Sequence, residues 1–428
     1  MKVLVIGGGG REHALAWKLK QSAAVDRIFC APGNAGTEEL GDNVVIRAND
    51  ISGLREFVKQ NAIDLTVVGP DDPLADGIVD AFEAEGLRIF GPNKSAARLE
   101  ASKIFAKKLM QQQRIPTAAA GTFEDVGAAR EFCQRAKLPL VVKADGLALG
   151  KGVIIAQTAD EAREAVDEMM TRDRFSAAGR RIVIEEYLRG VECSAHVLVS
   201  ETEWKMLATA RDHKRAFDGD AGPNTGGMGA VSPAESWNPE LQSQFAECIV
   251  QPLLDALTNK GVRFRGLLFP GLMVTPTGPQ VLEFNCRFGD PETQVILPRL
   301  KSDLLELIDA TIDGRLSTSA IEWDNRTAVT VVLASGGYPE KYESGREISG
   351  LDRARRLPDV HVFHAGTRRE NNRVLTAGGR VLAVTAFGES ITQARERAYA
   401  AVEQINFEGC QYRRDIALSG VPGNVDRH

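Results

Sequence analysis

The chain has 428 residues, 43% of them hydrophobic and 26% charged, with a net charge of −6. That length accommodates two to four ordinary domains, and an acidic chain without a lysine or arginine block argues against a nucleic-acid partner. No apolar run approaches the roughly 20 residues that span a bilayer, no signal-peptide core follows Met1, and the six cysteines make no Cys-x-x-Cys pair, so a cytoplasmic protein without disulfides or a zinc knuckle is expected.

The first hundred residues alternate strand and helix, which predicts a parallel α/β sheet. Val3–Ile6, Arg27–Cys30, Leu65–Val68 and Arg88–Phe90 read as strands, with helices over 11–21, 51–61 and 73–85. The first strand runs into Gly7-Gly-Gly-Gly10 ahead of a helix, where backbone N–H groups can receive an anion. A dinucleotide site is opposed on two counts. The third glycine place of G-x-G-x-x-G is Glu12, and the second strand ends at Cys30-Ala-Pro-Gly33 instead of an acid. A phosphate or small polar ligand is expected there, with Arg11 and His13 within reach of it; a purely structural tight turn is the alternative.

A charged helix over about 94–113 leads to Ile115-Pro-Thr117, a plausible boundary. Beyond it come helix 125–136, strand Leu140–Lys143 and the run Ala144-Asp-Gly-Leu-Ala-Leu-Gly-Lys-Gly152. This is not a Walker loop, because Gly146, Gly150, Lys151 and Gly152 lead into another strand, Val153–Ala156. A glycine hairpin of this kind can close over a triphosphate, or be a plain turn. Helix 159–170 and strand Ile182–Glu186 follow, and alternation sends Glu185 and Glu186 to opposite faces. As an edge, that strand end through Tyr187 and Leu188 offers backbone groups to a base, with Glu192 near ribose hydroxyls; a solvated strand end is the alternative.

A further sheet is expected over 191–198 and 204–209. The stretch 211–229 then reads as a long loop, Arg211-Asp-His-Lys-Arg215 followed by Gly222-Pro-Asn-Thr-Gly-Gly-Met-Gly229. Long loops in compact proteins are usually functional. After helix 239–259 comes the segment Val281-Leu-Glu-Phe-Asn-Cys-Arg-Phe-Gly-Asp-Pro-Glu-Thr-Gln294. As a strand it points Glu283 and Asn285 to one side and Leu282 and Phe284 into a core. A carboxylate and an amide oxygen so placed suit Mg²⁺, whose coordination is completed by phosphates and water. Segment 302–313 reads as a helix. From about residue 325 a small end unit begins, with strands Ala328–Leu333 and Arg380–Thr385, the turn Gly336-Gly-Tyr-Pro339, and helix 390–404.

Asp212-His-Lys214, Gly222–Gly229 and Arg287-Phe-Gly-Asp-Pro-Glu-Thr-Gln294 together resemble the glycinamide ribonucleotide synthetase family, ATP-grasp enzymes of purine synthesis. The likeness runs from Gly7–Leu15 to Gly336–Pro339. One departure is Phe269-Pro270, where the family pattern has a tyrosine–alanine pair. The resemblance implies an α/β multidomain fold: a Rossmann-like domain at 1–102, an ATP-grasp domain at 103–325 with a lid at about 120–190, and an α/β domain at 326–428. It implies an ADP-forming ligase acting on glycine, 5-phosphoribosylamine and ATP; a monomer is expected, though the sequence does not set the oligomeric state. Lys103, Lys143 and Gly146–Gly152 would hold ATP phosphates, Glu185 to Leu188 the adenine, and Glu192 the ribose. Glu283 and Asn285 would bind Mg²⁺ or Mn²⁺. Gly9, Gly10, Asp212, Lys214, Arg287, Gly289 and Asp290 would face the amino acid and sugar phosphate, with Arg287, Asp212 and Lys143 closest to the chemistry; His213 would be either part of that side or a structural loop residue. Closure of 146–152 and 211–229 over the ligands would exclude water.

Overall fold

In the computed structural model, residues 1–147, 152–172 and 179–418 are described. The apolar runs near the N-terminus become a parallel sheet ordered Asp42–Asn43, Arg27–Pro32, Lys2–Gly7, Leu65–Val68 and Ile89–Phe90. Its strands are apolar on both faces because apolar clusters pack on each side of it. Helix Ile51–Asn61 starts where the Asp50 side chain accepts from Gly53 N and stops at a left-handed Ala62. The helix expected over 73–85 is two, Asp71–Asp76 and Ile78–Glu83, broken by left-handed Gly77. The helix expected over 94–113 is also two, Lys94–Ala101 and Lys103–Gln113, broken at extended Ser102.

The next unit is an antiparallel sheet ordered Ala120–Phe123, Ile182–Glu186, Leu140–Ala144 and Val153–Ala156. Helices Val126–Arg135 and Ala159–Met170 cover it over a small apolar core. Ile182–Glu186 therefore lies inside its sheet and not at an edge, which corrects the expectation of free backbone groups along it. Of the hairpin 146–152, Gly150 and Lys151 lie outside the described residues.

A second antiparallel sheet runs Val191–Ser194, Arg265–Thr275, Val197–Ser200 and Glu203–Met206, with Gly278–Asn285 paired to the long strand Arg265–Thr275. Helices Lys103–Gln113, Pro239–Phe245 and Gln251–Asn259 pack against it over a core that includes Val281 and Phe284. Leu282, expected in that core, is not there. The register slips between Gly271 and Leu272, so Leu282 has no partner across the pair and lies half-buried beside a cavity.

The stretch 211–229 is built largely of paired strands. Arg215–Phe217 and Ala221–Asn224 form a hairpin, while Arg211–Asp212 and Gly229–Ser232 join the C-terminal sheet. That sheet continues through Thr327–Ser335, Arg380–Gly388 and Val360–His364, with helix Ile391–Val402 packed on it. The C-terminal sheet is thereby tied to the middle of the chain by hydrogen bonds.

Candidate active site

A cavity of about 700 Å³ lies where the sheets meet. Lys103, Lys143, Gly146, Gly152, Glu185, Glu186, Tyr187, Leu188, Glu192, Asp212, Lys214, Glu283, Asn285, Arg287 and Asp290 all line it. Gly9, Gly10 and Gly289 do not.

One wall is made of lysines. Helix Lys103–Gln113 is capped by Ser102, whose hydroxyl also donates to Asp145 Oδ1 at 2.9 Å, while Ile104 N donates to the same oxygen at 3.1 Å. This anchors the helix to the base of the glycine hairpin, and Lys103 Nζ donates to Gly146 O at 3.0 Å. Buried Glu185 pairs with two lysines, Lys107 at 3.0 Å and Lys143 at 2.8 Å. Lys143 also donates to Leu282 O at 2.9 Å, which joins the sheet containing Leu140–Ala144 to the strand carrying Glu283. Glu186 faces the other way and accepts from Ala119 N at 2.9 Å. Tyr187 N bonds Pro139 O, so the first cavity-lining residue past these backbone pairings is Leu188.

The other wall is made of arginines. Arg287 pairs with Glu100 at 3.1 Å and donates to Asn285 Oδ1 at 3.1 Å and Phe288 O at 3.3 Å. Arg11 pairs with Glu12 at 2.6 Å and donates to the same Phe288 carbonyl at 3.1 Å. Arg380 pairs with Asp290 Oδ2 at 3.0 Å, and Gln294 Nε2 donates to Asp290 Oδ1 at 2.7 Å. Both Asp290 oxygens are thus engaged by protein. Between the walls, Lys214 pairs with Glu192 at 2.8 Å.

The charges separate two carboxyls. Burial pushes Glu283 up, but Lys214, Lys143, Lys103 and Arg287 overcome it and hold the group below the usual carboxylate range. Burial pushes Asp212 up too, and there Lys214 fails to offset it against Glu292, Glu192 and Glu283. Burial lowers Lys103, while the half-buried Lys214 is held well above its ordinary value, against desolvation, by Glu192, Asp212 and Glu283.

Among the described residues no group of three His, Cys, Asp or Glu is arranged to hold a metal. A hard cation that keeps water and takes phosphate oxygens needs fewer protein ligands. Glu283 fits, being held low by cations and free of hydrogen bonds from the described residues; Asn285, two residues along the same strand face, has an amide oxygen that already accepts from Arg287 on one lone pair and keeps the other.

The glycine loop at 7–10 behaves differently from expectation. Gly9 N donates to Glu12 Oε2 at 2.6 Å, so the helix N-terminus is filled by the chain's own carboxylate and not left for a phosphate. A Cβ at Gly7 or Gly69 would lie 2.5 or 2.1 Å from Glu12 atoms, so these glycines make room for it. Gly10 faces Gln294 instead. His13 is buried against Phe363 and His364, and accepts from His364 N at 2.7 Å; burial, with Arg355 nearby, takes it down to about 3. It stays neutral and holds the N- and C-terminal units together. His213 is half-buried, is taken down to about 3 by desolvation of its ring, and accepts from Ala417 N at 3.4 Å.

Sequence reasoning missed Lys107, Glu100, Glu292, Tyr338 and Arg380 as cavity residues. Tyr338 and Glu292 sit inside quoted motifs, but the others carry no local signal. No described helix is long and apolar enough to cross a membrane.

Models of phosphoribosylglycinamide synthetase match the chain in three parts: the N domain over residues 1–100, the ATP-grasp (A) domain over 101–293 and the C domain over 328–419. The chain is 50% identical over 425 residues to a phosphoribosylamine–glycine ligase of Salmonella typhimurium, covering 98% of this chain and 99% of that protein. It is 47% identical over 417 residues to the ligase of Caldanaerobacter subterraneus, covering 97% and 99%. The crystal structure of phosphoribosylamine–glycine ligase from Thermotoga maritima superposes with a TM-score of 0.85 at 35% identity, covering 97% of this chain and 100% of that one. A biotin carboxylase from Campylobacter jejuni shares the fold, with a TM-score of 0.75 at 14% identity, covering 98% and 94%. With three domain models in sequence order and relatives matched end to end, the chain belongs to the phosphoribosylglycinamide synthetase family.

Proposed function

We propose that the chain is an ATP-dependent ligase that joins glycine to 5-phosphoribosylamine, releasing ADP and phosphate. The observation that carries this reading is a single cavity in which a lysine wall and an arginine wall flank an ionised carboxylate, in a chain of this family. A carboxylate does not form an amide with an amine unaided, because its oxygen is a poor leaving group. Transfer of the γ-phosphoryl group to a glycine carboxylate oxygen gives glycyl phosphate and ADP. The sugar amine then attacks the carbonyl carbon, phosphate departs and the nitrogen loses a proton.

Phosphoryl transfer needs mainly positioning and charge neutralisation. We assign Lys103, Lys143 and the Gly146–Gly152 hairpin to the phosphates. Glu185 holds Lys143 and Lys107 in place at the cavity wall. Leu188 and its neighbours Glu186 and Tyr187 take the adenine, and Glu192 the ribose. Glu283 and Asn285 would hold a divalent cation, Mg²⁺ or Mn²⁺, which supplies neutralisation of phosphate charge. Arg287 offers a planar fork to the glycine carboxylate, and Asp212 and Lys214 face the acceptor. Asp290, Gly9, Gly10 and Gly289 serve as supports of that wall.

The test is an ADP-release assay with each substrate omitted in turn. ADP should appear only with ATP, glycine and phosphoribosylamine together. Formation of AMP and pyrophosphate would rule out the acyl-phosphate route.

A further inference from the structure

Two separate segments form the acceptor side of the cavity, 211–229 and 287–294, and nothing in their own sequences fixes the spacing between them. A residue of the C-terminal unit does. Arg380, at the start of strand Arg380–Gly388, sends Nη1 to Gly226 O at 2.6 Å and to Asp290 O at 2.8 Å, and Nη2 to Asp290 Oδ2 at 3.0 Å. The Gly226 N–H donates to the Tyr338 hydroxyl at 3.0 Å, so both backbone groups of Gly226 are held by the C-terminal unit. A Cβ at Gly379 would lie 2.3 Å from the Tyr338 ring, so that glycine seats the ring next to Arg380. The two segments also touch directly, because a Cβ at Gly227 would lie 2.4 Å from Pro291.

Three donor contacts from one planar group fix both distance and angle, which a lysine cannot do. We propose that Arg380 is a positioning residue for the amine acceptor, setting the register of the Gly226 turn against the Asp290 turn so that the acceptor side is complete only when the C-terminal unit is docked. This rests on the ligase reading above. None of the contacts of Arg380 named here reaches the lysine wall, so its loss should be felt by the acceptor and not by ATP.

Two variants test it independently. Arg380→Lys removes the fork. Gly226→Ala leaves Arg380 intact but places a Cβ 2.9 Å from its Cζ; Gly226 is outside the left-handed region, so the backbone accepts alanine. Steady-state kinetics on the full chain should show KM for phosphoribosylamine raised about tenfold in both, the scale of one lost charge-assisted hydrogen bond. KM for ATP should stay within about twofold of wild type. Hydrogen exchange should rise together at 226–228 and 290–294, a readout that needs no turnover. Parallel rises in both KM values, or an unchanged acceptor KM, would overturn the role of Arg380. If Arg380→Lys does not fold, Gly226→Ala decides alone. Wild-type protein that releases no ADP with the three substrates would instead overturn the ligase reading, and the exchange measurement would still decide whether Arg380 ties the two turns.

Discussion

The lysine wall and the arginine wall carry the same sign of charge and are built on opposite principles. Lys103, Lys107 and Lys143 are point charges on flexible stems, all contributed by the chain between residues 103 and 143; one carboxylate, Glu185, holds Lys107 and Lys143, and the Gly146 carbonyl holds Lys103. Arg11, Arg287 and Arg380 are rigid forks contributed by the N-terminal unit, the middle and the C-terminal unit, and they converge on two neighbouring residues, Phe288 and Asp290. A polyphosphate with several rotatable bonds can be met by movable cations. A small carboxylate or sugar phosphate demands a fixed angle, and fixing it takes three units of the fold.

The largest effect should come from the group between the walls. Glu283→Ala removes a carboxylate that Lys214, Lys143, Lys103 and Arg287 hold low, and should lower kcat by roughly 10³-fold, the upper end for a single preorganised group. ADP release within tenfold of wild type would mean that the lysine wall neutralises phosphate without it. Next comes Arg287→Lys, which keeps charge and loses the fork that reaches Glu100, Asn285 and Phe288. We expect about a 10²-fold loss in kcat/KM for glycine. A near-normal value would show that the arginine wall works by charge alone, erasing the distinction drawn between the two walls.

Much of this arrangement is legible in the sequence where the signal is local. Strand alternation places Glu283 and Asn285 together, and both line the cavity; the buried runs near the N-terminus give the parallel sheet. Legibility fails where a second strand decides. Leu282 leaves the core because the register slips at Gly271, a property of the pair and invisible in Val281–Phe284. The strands within 211–229 are short and set by pairing: Arg215–Phe217 pairs with Ala221–Asn224, and Arg211–Asp212 pairs with Gly229–Ser232, which Thr327–Ser335 holds in turn. Glu12 was available to be read: an acidic residue three places into a helix is half of a capping box, and it accounts for the glycine loop without a ligand. Arg380 and Glu100 lie far from the motifs they serve, and only the fold brings them there.

The smallest effect separates the walls by sign. Glu283, held low by cations, contributes stability that is present above its unfolded value of 4.5 and is lost as pH falls through its folded value. Asp212, held high by burial, does the reverse. Its unfolded form ionises above 3.8 while the folded form resists, so its cost to stability grows as pH rises from there to its folded value. Glu283→Gln should therefore lower Tm at neutral pH, and Asp212→Asn should raise it. Each shift should be a few degrees, since about 1 kcal/mol moves Tm by roughly 2–4 °C in domains of 150–250 residues. Towards pH 4 the Asp212→Asn difference should vanish, and the Glu283→Gln difference should shrink only at lower pH, below 4.5. Thermal melts of the two variants from about pH 3 to pH 8 measure this directly. Shifts of the same sign at pH 7 would mean that one electrostatic environment spans the cavity, and that the two walls differ in shape but not in field.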